Sequence, residues 1–350
     1  MEFITEYGMF LAKTLTFTVA VVVIIIAAVG SAVKTKKEAK GSITVTHLNK
    51  ELDDLGDEIK HIVEDEDSFK KTKKESKKAE KKQQKEKKKD KKHNKDSDKK
   101  RYYVFDFNGD ARASQVESMR RVITAVLSII RPGQDEVILR LESPGGMVHS
   151  YGLAASQLAR IKSLNIPLTI CVDKVAASGG YMMACLGSKI IAAPFAYIGS
   201  IGVLMQLPNF NRLLKDKNVD YEMITAGEYK RTLTMFGENT DKGREKVTEE
   251  IQETHDLFKD FVKENRPVLE IDKVATGETW FGTKALEQKL VDEIKTSDEC
   301  IVEACKEADV YLVAYEKKLS IADRFGKAME SALDNTLLKW LNKSPNDHTS

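Results

Sequence analysis

Residues 136–146 read EVILRLESPGG, and residues 167–180 read PLTICVDKVAASGG. Each begins as a short apolar run, the pattern of a strand buried on both faces, and each ends in a glycine-rich turn leading towards a helix. Outward from these, YYVFDF (102–107) reads as a further strand, residues 114–130 as an apolar-striped helix, and residues 152–163 as a second helix. Strands alternating with helices predict an α/β fold with a parallel sheet. Such sheets place their active crevice beyond the carboxyl ends of the strands, where both glycine turns fall. Further on, Val247, Ile251, Leu257, Phe258, Phe261 and Val262 mark one face of a helix over residues 246–262.

Small residues around Ser178 let the chain turn tightly and expose its hydroxyl at the start of a helix over residues 181–186. This is the logic of a nucleophile elbow without the GxSxG spacing. The amides of Gly146 and Gly179 can converge on one point as an oxyanion hole. Taken singly, each turn reads equally well as glycine needed for a left-handed φ, or as a phosphate loop. A serine also needs a base. Local chemistry offers His149, three residues past Gly146, and then His255 beside Asp256, although His149 reads equally as a helix-start residue facing solvent.

The chain has 350 residues, enough for one sizeable core with appendages or for two small domains. Its net charge of +2 conceals a partition. Residues 70–101 hold 18 Lys/Arg and 6 Asp/Glu, a local charge of +12, so the remainder carries −10. That tract lacks the apolar residues needed to offset the entropy of ordering, and reads as a disordered tether or a solvated helix. Without interleaved aromatics it suits anionic lipid headgroups better than nucleic acid, and no specific nucleic-acid partner is expected. Leu48, Leu52, Leu55, Ile59, Ile62 and Val63, just before the tract, have the spacing of a short helix. Cys171, Cys185, Cys300 and Cys305 show no CxxC spacing and are expected as free thiols. The six histidines are scattered, so neither a metal nor another cofactor is expected.

LTFTVAVVVIIIAAVGSAV (15–33) is free of charge and long enough to cross a membrane. It is long for the apolar region of a cleaved signal, and Glu2 and Glu6 precede it where a signal would be basic, so a retained single-pass helix is expected. Lys34, Lys36, Lys37 and Lys40 follow the span, which by the positive-inside rule places the bulk of the chain in the cytoplasm. Residues 321–341 form another striped segment, which either packs on the core or lies at a membrane surface.

Six blocks carry a resemblance: LRLESPGGMVHSYGLAASQL (139–158), VDKVAASGGYMMAC (172–185), IGSIGV (198–203), PNFNR (208–212), TAGEYKRTLTMFGENT (225–240) and VATGETWFGTKALEQKLVDEI (274–294). In this order they resemble the bacterial signal peptide peptidase A family, whose members share the Clp/crotonase fold. The resemblance implies a repeated ββα spiral core preceded by one transmembrane helix and, here, the lysine-rich tether. It implies a serine endopeptidase of the bacterial inner membrane, with Ser178 as nucleophile, Lys230 as general base, Ser200 bonded to the lysine amine, and Gly146 and Gly179 as oxyanion donors. It implies peptide substrates of hydrophobic or membrane-associated kind, and a homo-oligomer whose Ser and Lys come from adjacent subunits. It also favours the periplasmic side, against the charge rule. The expected organisation is a short segment (1–14), the membrane helix (15–33), a charged linker (34–100), the Ser/Lys peptidase domain (101–300) and a C-terminal extension with an amphipathic helix (301–350). A crotonase-type acyl-CoA enzyme and a catalytically silent membrane scaffold are the readings weighed against it; the intact Ser178, Lys230 and Ser200 count against the scaffold, and the AASGG (176–180) and IGSIG (198–202) blocks against acyl-CoA chemistry.

Overall fold

The computed structural model describes residues 6–19, 41–63 and 99–316. Residues 44–314 form one compact unit, and residues 1–43 with 315–350 form another. In the second unit residues 6–19 are helical, and the Gly41 amide donates to the Tyr315 hydroxyl at 2.9 Å. Among the described residues no helix is long and apolar enough to cross a membrane. Residues 20–33 of the expected span, most of the basic tract and the striped segment 321–341 lie outside the described residues.

The ten strands described are β1 (Ser42–His47), β2 (Arg101–Asn108), β3 (Glu136–Glu142), β4 (Leu168–Val172), β5 (Val175–Ala177), β6 (Lys189–Ala192), β7 (Tyr197–Gly199), β8 (Thr279–Phe281), β9 (Glu293–Ile294) and β10 (Asp309–Glu316). The helices used below are α1 (Leu48–Val63), α2 (Val116–Leu127), α3 (Val148–Ser163), α4 (Gly179–Ala184), α5 (Asn211–Asp216), α6 (Asp241–Asn265), α7 (Ile271–Val274), α8 (Gly282–Glu287) and α9 (Ser297–Glu307). A seven-stranded sheet has the order β1-β10-β2-β3-β4-β6-β9, parallel from β10 to β9. A small sheet has the order β5-β7-β8, with β5 and β7 parallel and β8 antiparallel to β7. An α/β fold with a parallel sheet is therefore what the chain adopts.

The continuous apolar runs of β2 and β3 follow from burial on both faces. Tyr103, Phe105 and Phe107 pair in register with Val137, Leu139 and Leu141, and all six are buried. Phe107 meets Tyr151 of α3 edge to face at 6.4 Å, which places this row under the α2/α3 layer. On the other face Val104, Ile138, Cys171, Ile191 and Val310 form a cluster with Ile301 and Ala304 of α9. α9 is held at its start by a capping box between Thr296 and Glu299.

The folded body is wider than residues 101–300. β10 lies beside β2, with Val310 opposite Tyr102, so part of the stretch expected as a C-terminal extension is instead a strand internal to the sheet. β1 and α1 likewise turn part of the stretch read as a linker into regular structure. Three helices start earlier than their apolar stripes: α3 at Val148, α4 at Gly179 and α6 at Asp241. In α6 the Thr240 side chain accepts from the Gly243 amide, and this polar cap, rather than an apolar residue, fixes the start. Cys171 and Cys185 are buried, Cys300 and Cys305 partly so, and all four thiols are free.

Candidate active site

Three turns meet beyond the carboxyl ends of the strands. β5 carries Ala177 opposite Gly199 of β7, so the next residues, Ser178 and Ser200, emerge side by side from adjacent parallel strands. The Ser178 amide donates to the Gly199 carbonyl at 2.8 Å. On the other flank Ser143 bridges Ala176; the Ala177 amide donates to the Ser143 carbonyl at 3.0 Å, and the Ser143 amide to the Val175 carbonyl at 2.8 Å. The turn that follows β3 is thereby laid against the turn that carries Ser178.

Ser178 has φ 52° and ψ −119°, a conformation that side chains rarely adopt, and Ser200 has φ 51°. Holding such a residue costs about 1–3 kcal/mol and needs surrounding structure that over-determines it. α4 is too short to be stable alone. Its buried Tyr181 hydroxyl donates to the Leu290 carbonyl at 2.9 Å and anchors it. The Ser178 and Ser200 hydroxyls make no hydrogen bond among the described residues, and both residues are partly exposed.

Gly145 has φ +88°, and a Cβ built on it would lie 2.7 Å from the Ala177 carbonyl oxygen and 2.8 Å from both the Gly179 nitrogen and Ser178 Cβ. Only glycine admits that approach. A Cβ on Gly146 would fall 2.2 Å from the Ala111 carbonyl oxygen, so the same turn is pressed from its other side by the loop after β2. The Gly146 and Gly179 amides have no hydrogen-bond partner among the described residues. The site thus brings together Ser178, Ser200 and two unengaged amide donors.

It does not join Lys230 to them. Lys230 lies in an exposed segment, and its amino group has no hydrogen-bond or ion-pair partner among the described residues. Its neighbours are engaged: Glu228 pairs with Lys242 of α6, and the Tyr229 ring lies 5.9 Å from the Lys242 and 5.7 Å from the Lys246 amino group. His149 is exposed in the first turn of α3 and has no hydrogen-bond partner among the described residues. His255 sits in α6 with Nε2 buried and without a hydrogen-bond partner among the described residues. Neither histidine is hydrogen-bonded to Ser178.

Beneath the site lies an arrangement that sequence reading did not single out. Ser143 and Tyr151 are fully buried, with 2.6 Å between their hydroxyl oxygens. The Tyr151 hydroxyl donates to the Asp110 carbonyl at 2.9 Å, and the Gly145 amide donates to Ser143 Oγ at 3.1 Å. Burial raises the Tyr151 phenol above its ordinary range, although the bond with Ser143 acts the other way, so the phenol stays protonated. The opposite face of the sheet holds a cavity of about 260 Å³ bordered by Asp106, Arg140, Glu142, Lys174, Asp173 and Ser297. Its charges are largely matched internally: Arg140 grips Asp106 at 2.6 and 2.8 Å, Lys174 meets Glu142, and Asp173 accepts from Ser297.

The family models "Peptidase family S49 N-terminal" and "Peptidase family S49" match residues 2–158 and 160–311. The "Probable protease SohB" of Haemophilus influenzae is 46% identical over 352 residues, covering 99% of this chain and 98% of its own. A protein of the same description from Buchnera aphidicola subsp. Acyrthosiphon pisum is 48% identical over 97% of this chain and 98% of its own. The "Putative signal peptide peptidase SppA" of Enterococcus faecium is 28% identical over 58% of this chain and 59% of its own. The chain belongs to peptidase family S49, the family of signal peptide peptidase A.

Proposed function

We propose that this peptidase is a serine endopeptidase in which Ser178 is the nucleophile, Lys230 the general base and Ser200 the hydroxyl that orients the lysine amine. The observation that carries the reading is the strained Ser178, its hydroxyl unengaged, beside two amides with no partner. Ser178 Oγ attacks the carbonyl carbon of the scissile bond while neutral Lys230 Nζ takes its proton. The negative oxygen of the tetrahedral intermediate accepts from the Gly146 and Gly179 amides. The lysine proton passes to the departing amine, the C–N bond breaks, and an acyl-enzyme remains for water to resolve with Lys230 again as base.

A lysine serves as base near neutral pH only when removed from water. Lys230 is exposed, as are Leu204 at 77% and Ile224 at 96%. Large apolar side chains exposed to this degree are ones that a partner would cover. We assign that role to a second copy of the chain, so that each active site draws Ser178 and Lys230 from adjacent subunits. Substrates are hydrophobic or membrane-associated peptides, reached from the inner membrane through an anchor at residues 15–33, with the basic tract 70–101 at anionic headgroups. The Clp/crotonase-like ββα spiral is our reading of the order β4, β5, α4 followed by β6 and β7.

The test uses hydrolysis of a fluorogenic hydrophobic peptide by the full chain. Ser178→Ala and Lys230→Ala are each expected to lose about 10³-fold or more in kcat/KM. Refolded together in equal amounts, they are expected to recover about a quarter of wild-type activity, since half the serines meet half the lysines in a symmetric assembly. Turnover by Lys230→Ala at neutral pH would return the base to His149. An inactive mixture would place both groups in one subunit.

A further inference from the structure

The buried hydroxyls of Ser143 and Tyr151 form a chain whose direction is fixed by its ends. The Asp110 carbonyl can only accept, so the single Tyr151 proton goes there, at 2.9 Å. Ser143 must then donate to Tyr151 across 2.6 Å, which leaves Ser143 Oγ as acceptor for the Gly145 amide at 3.1 Å. The order is Gly145 N–H to Ser143 O–H to Tyr151 O–H to Asp110 C=O, with every donor used. Such a chain is polarised along its length.

Both ends of this chain bear on the proposed oxyanion donors. Gly145 precedes Gly146 in a turn whose next amide, Met147, donates to the Ala111 carbonyl at 2.8 Å, one residue past Asp110. Asp110 itself is held by its carboxylate, which accepts from the Arg112 and Ser114 amides at 3.0 and 2.9 Å. The Tyr151 ring lies against the second donor: a Cβ on Gly179 would sit 2.4 Å from Tyr151 Cγ. A Cβ on Gly109 would meet both the Ser143 and Tyr151 hydroxyls at 2.4 Å, so the backbone of Gly109 packs closely over the pair.

We infer that Tyr151 and Ser143 are positioning residues that set the Gly146 and Gly179 amides at the spacing a tetrahedral oxyanion requires. This inference rests on the proposed Ser178 mechanism and adds to it the residues that tune transition-state stabilisation. Neither hydroxyl touches substrate. Loosening the chain should therefore weaken the transition state and leave the ground-state complex unchanged.

The experiment compares wild type, Ser143→Ala, Tyr151→Phe and the double variant as full-length proteins. It measures kcat and KM for a peptide substrate, affinity for a peptide aldehyde that forms a tetrahedral adduct, and the thermal midpoint. Removing a whole oxyanion donor costs about 10²–10³ in kcat, so displacing donors is expected to cost about 10–100-fold. KM should stay within about twofold, aldehyde affinity should fall in step with kcat, and the double variant should be no worse than the poorer single. Folded variants with wild-type kcat and aldehyde affinity would overturn the inference. So would a rise in KM alone, or failure of both single variants to fold, since either makes the hydroxyls merely structural. Ser178→Ala in the same assay separates the two claims: if it stays active the nucleophile is wrong, whatever Tyr151 does.

Discussion

Ser178 sits between two neighbours that leave it little freedom: Gly199, whose carbonyl takes its amide, and Gly145, where any Cβ would come within 2.8 Å of Ser178 Cβ. The left-handed φ of Gly145 and the absence of a side chain there are separate requirements, and alanine fails both. Gly145→Ala is expected to lose about 1–3 kcal/mol of stability from the φ alone, and more from the displaced Ala177 and Gly179 backbone. Denaturant midpoints should show the loss, and hydrolysis should fall with it, because the displaced groups include a proposed oxyanion donor. Near-wild-type stability and activity together would mean that the two turns are not pressed against one another. Lys230 is the opposite case. Its local surroundings are those of any surface lysine, and nothing among the described residues removes it from water.

Strands β2, β3 and β4 and helix α2 were legible because burial on both faces, or on one stripe, writes itself into a run or a period. β10 was not, because its place between β1 and β2 depends on pairing across some 200 residues, as Val310 opposite Tyr102 shows. The same reason separates the site's parts. The glycine turns announced Ser178, Gly146 and Gly179 locally, whereas the place of Tyr151 depends on partners remote in sequence, among them the Asp110 carbonyl 41 residues earlier in the chain. Lys230 came from resemblance alone. The connection between α2 and β3 offers a test at the level of such joints. Asp135 is fully buried and accepts from the Arg131 amide at 3.0 Å, from Arg131 Nε at 2.9 Å and from the Arg101 amide at 3.1 Å. Burial alone would raise its carboxyl, but the bonds from Arg131 outweigh burial and hold it below the ordinary carboxylate range. The unfolded chain therefore takes up the proton first as pH falls. The stabilisation is complete above about pH 4 and is lost as pH drops through the depressed native value. Asp135→Asn is expected to cost about 2–3 kcal/mol at neutral pH and to remove that acid-dependent loss, as urea unfolding at pH 7 and pH 3 would show. An unchanged acid limb would contradict the assignment.

The described body carries half of its proposed chemistry in a finished state and half in an open one. Ser178, Ser200 and the two amides are fixed by strand pairing, while Lys230, Leu204 and Ile224 face outward. In the proposed scheme, assembly of copies would bury the second set against the first, so catalysis and association should fail together. Nothing in that scheme alters which atom becomes acylated. The most direct measurement is therefore covalent: the assembled full-length protein is treated with a fluorophosphonate, digested, and the adduct located by mass. The account predicts a single adduct on Ser178, absent in Ser178→Ala. Equal labelling of that variant and the wild type, or an adduct on another residue, would contradict it.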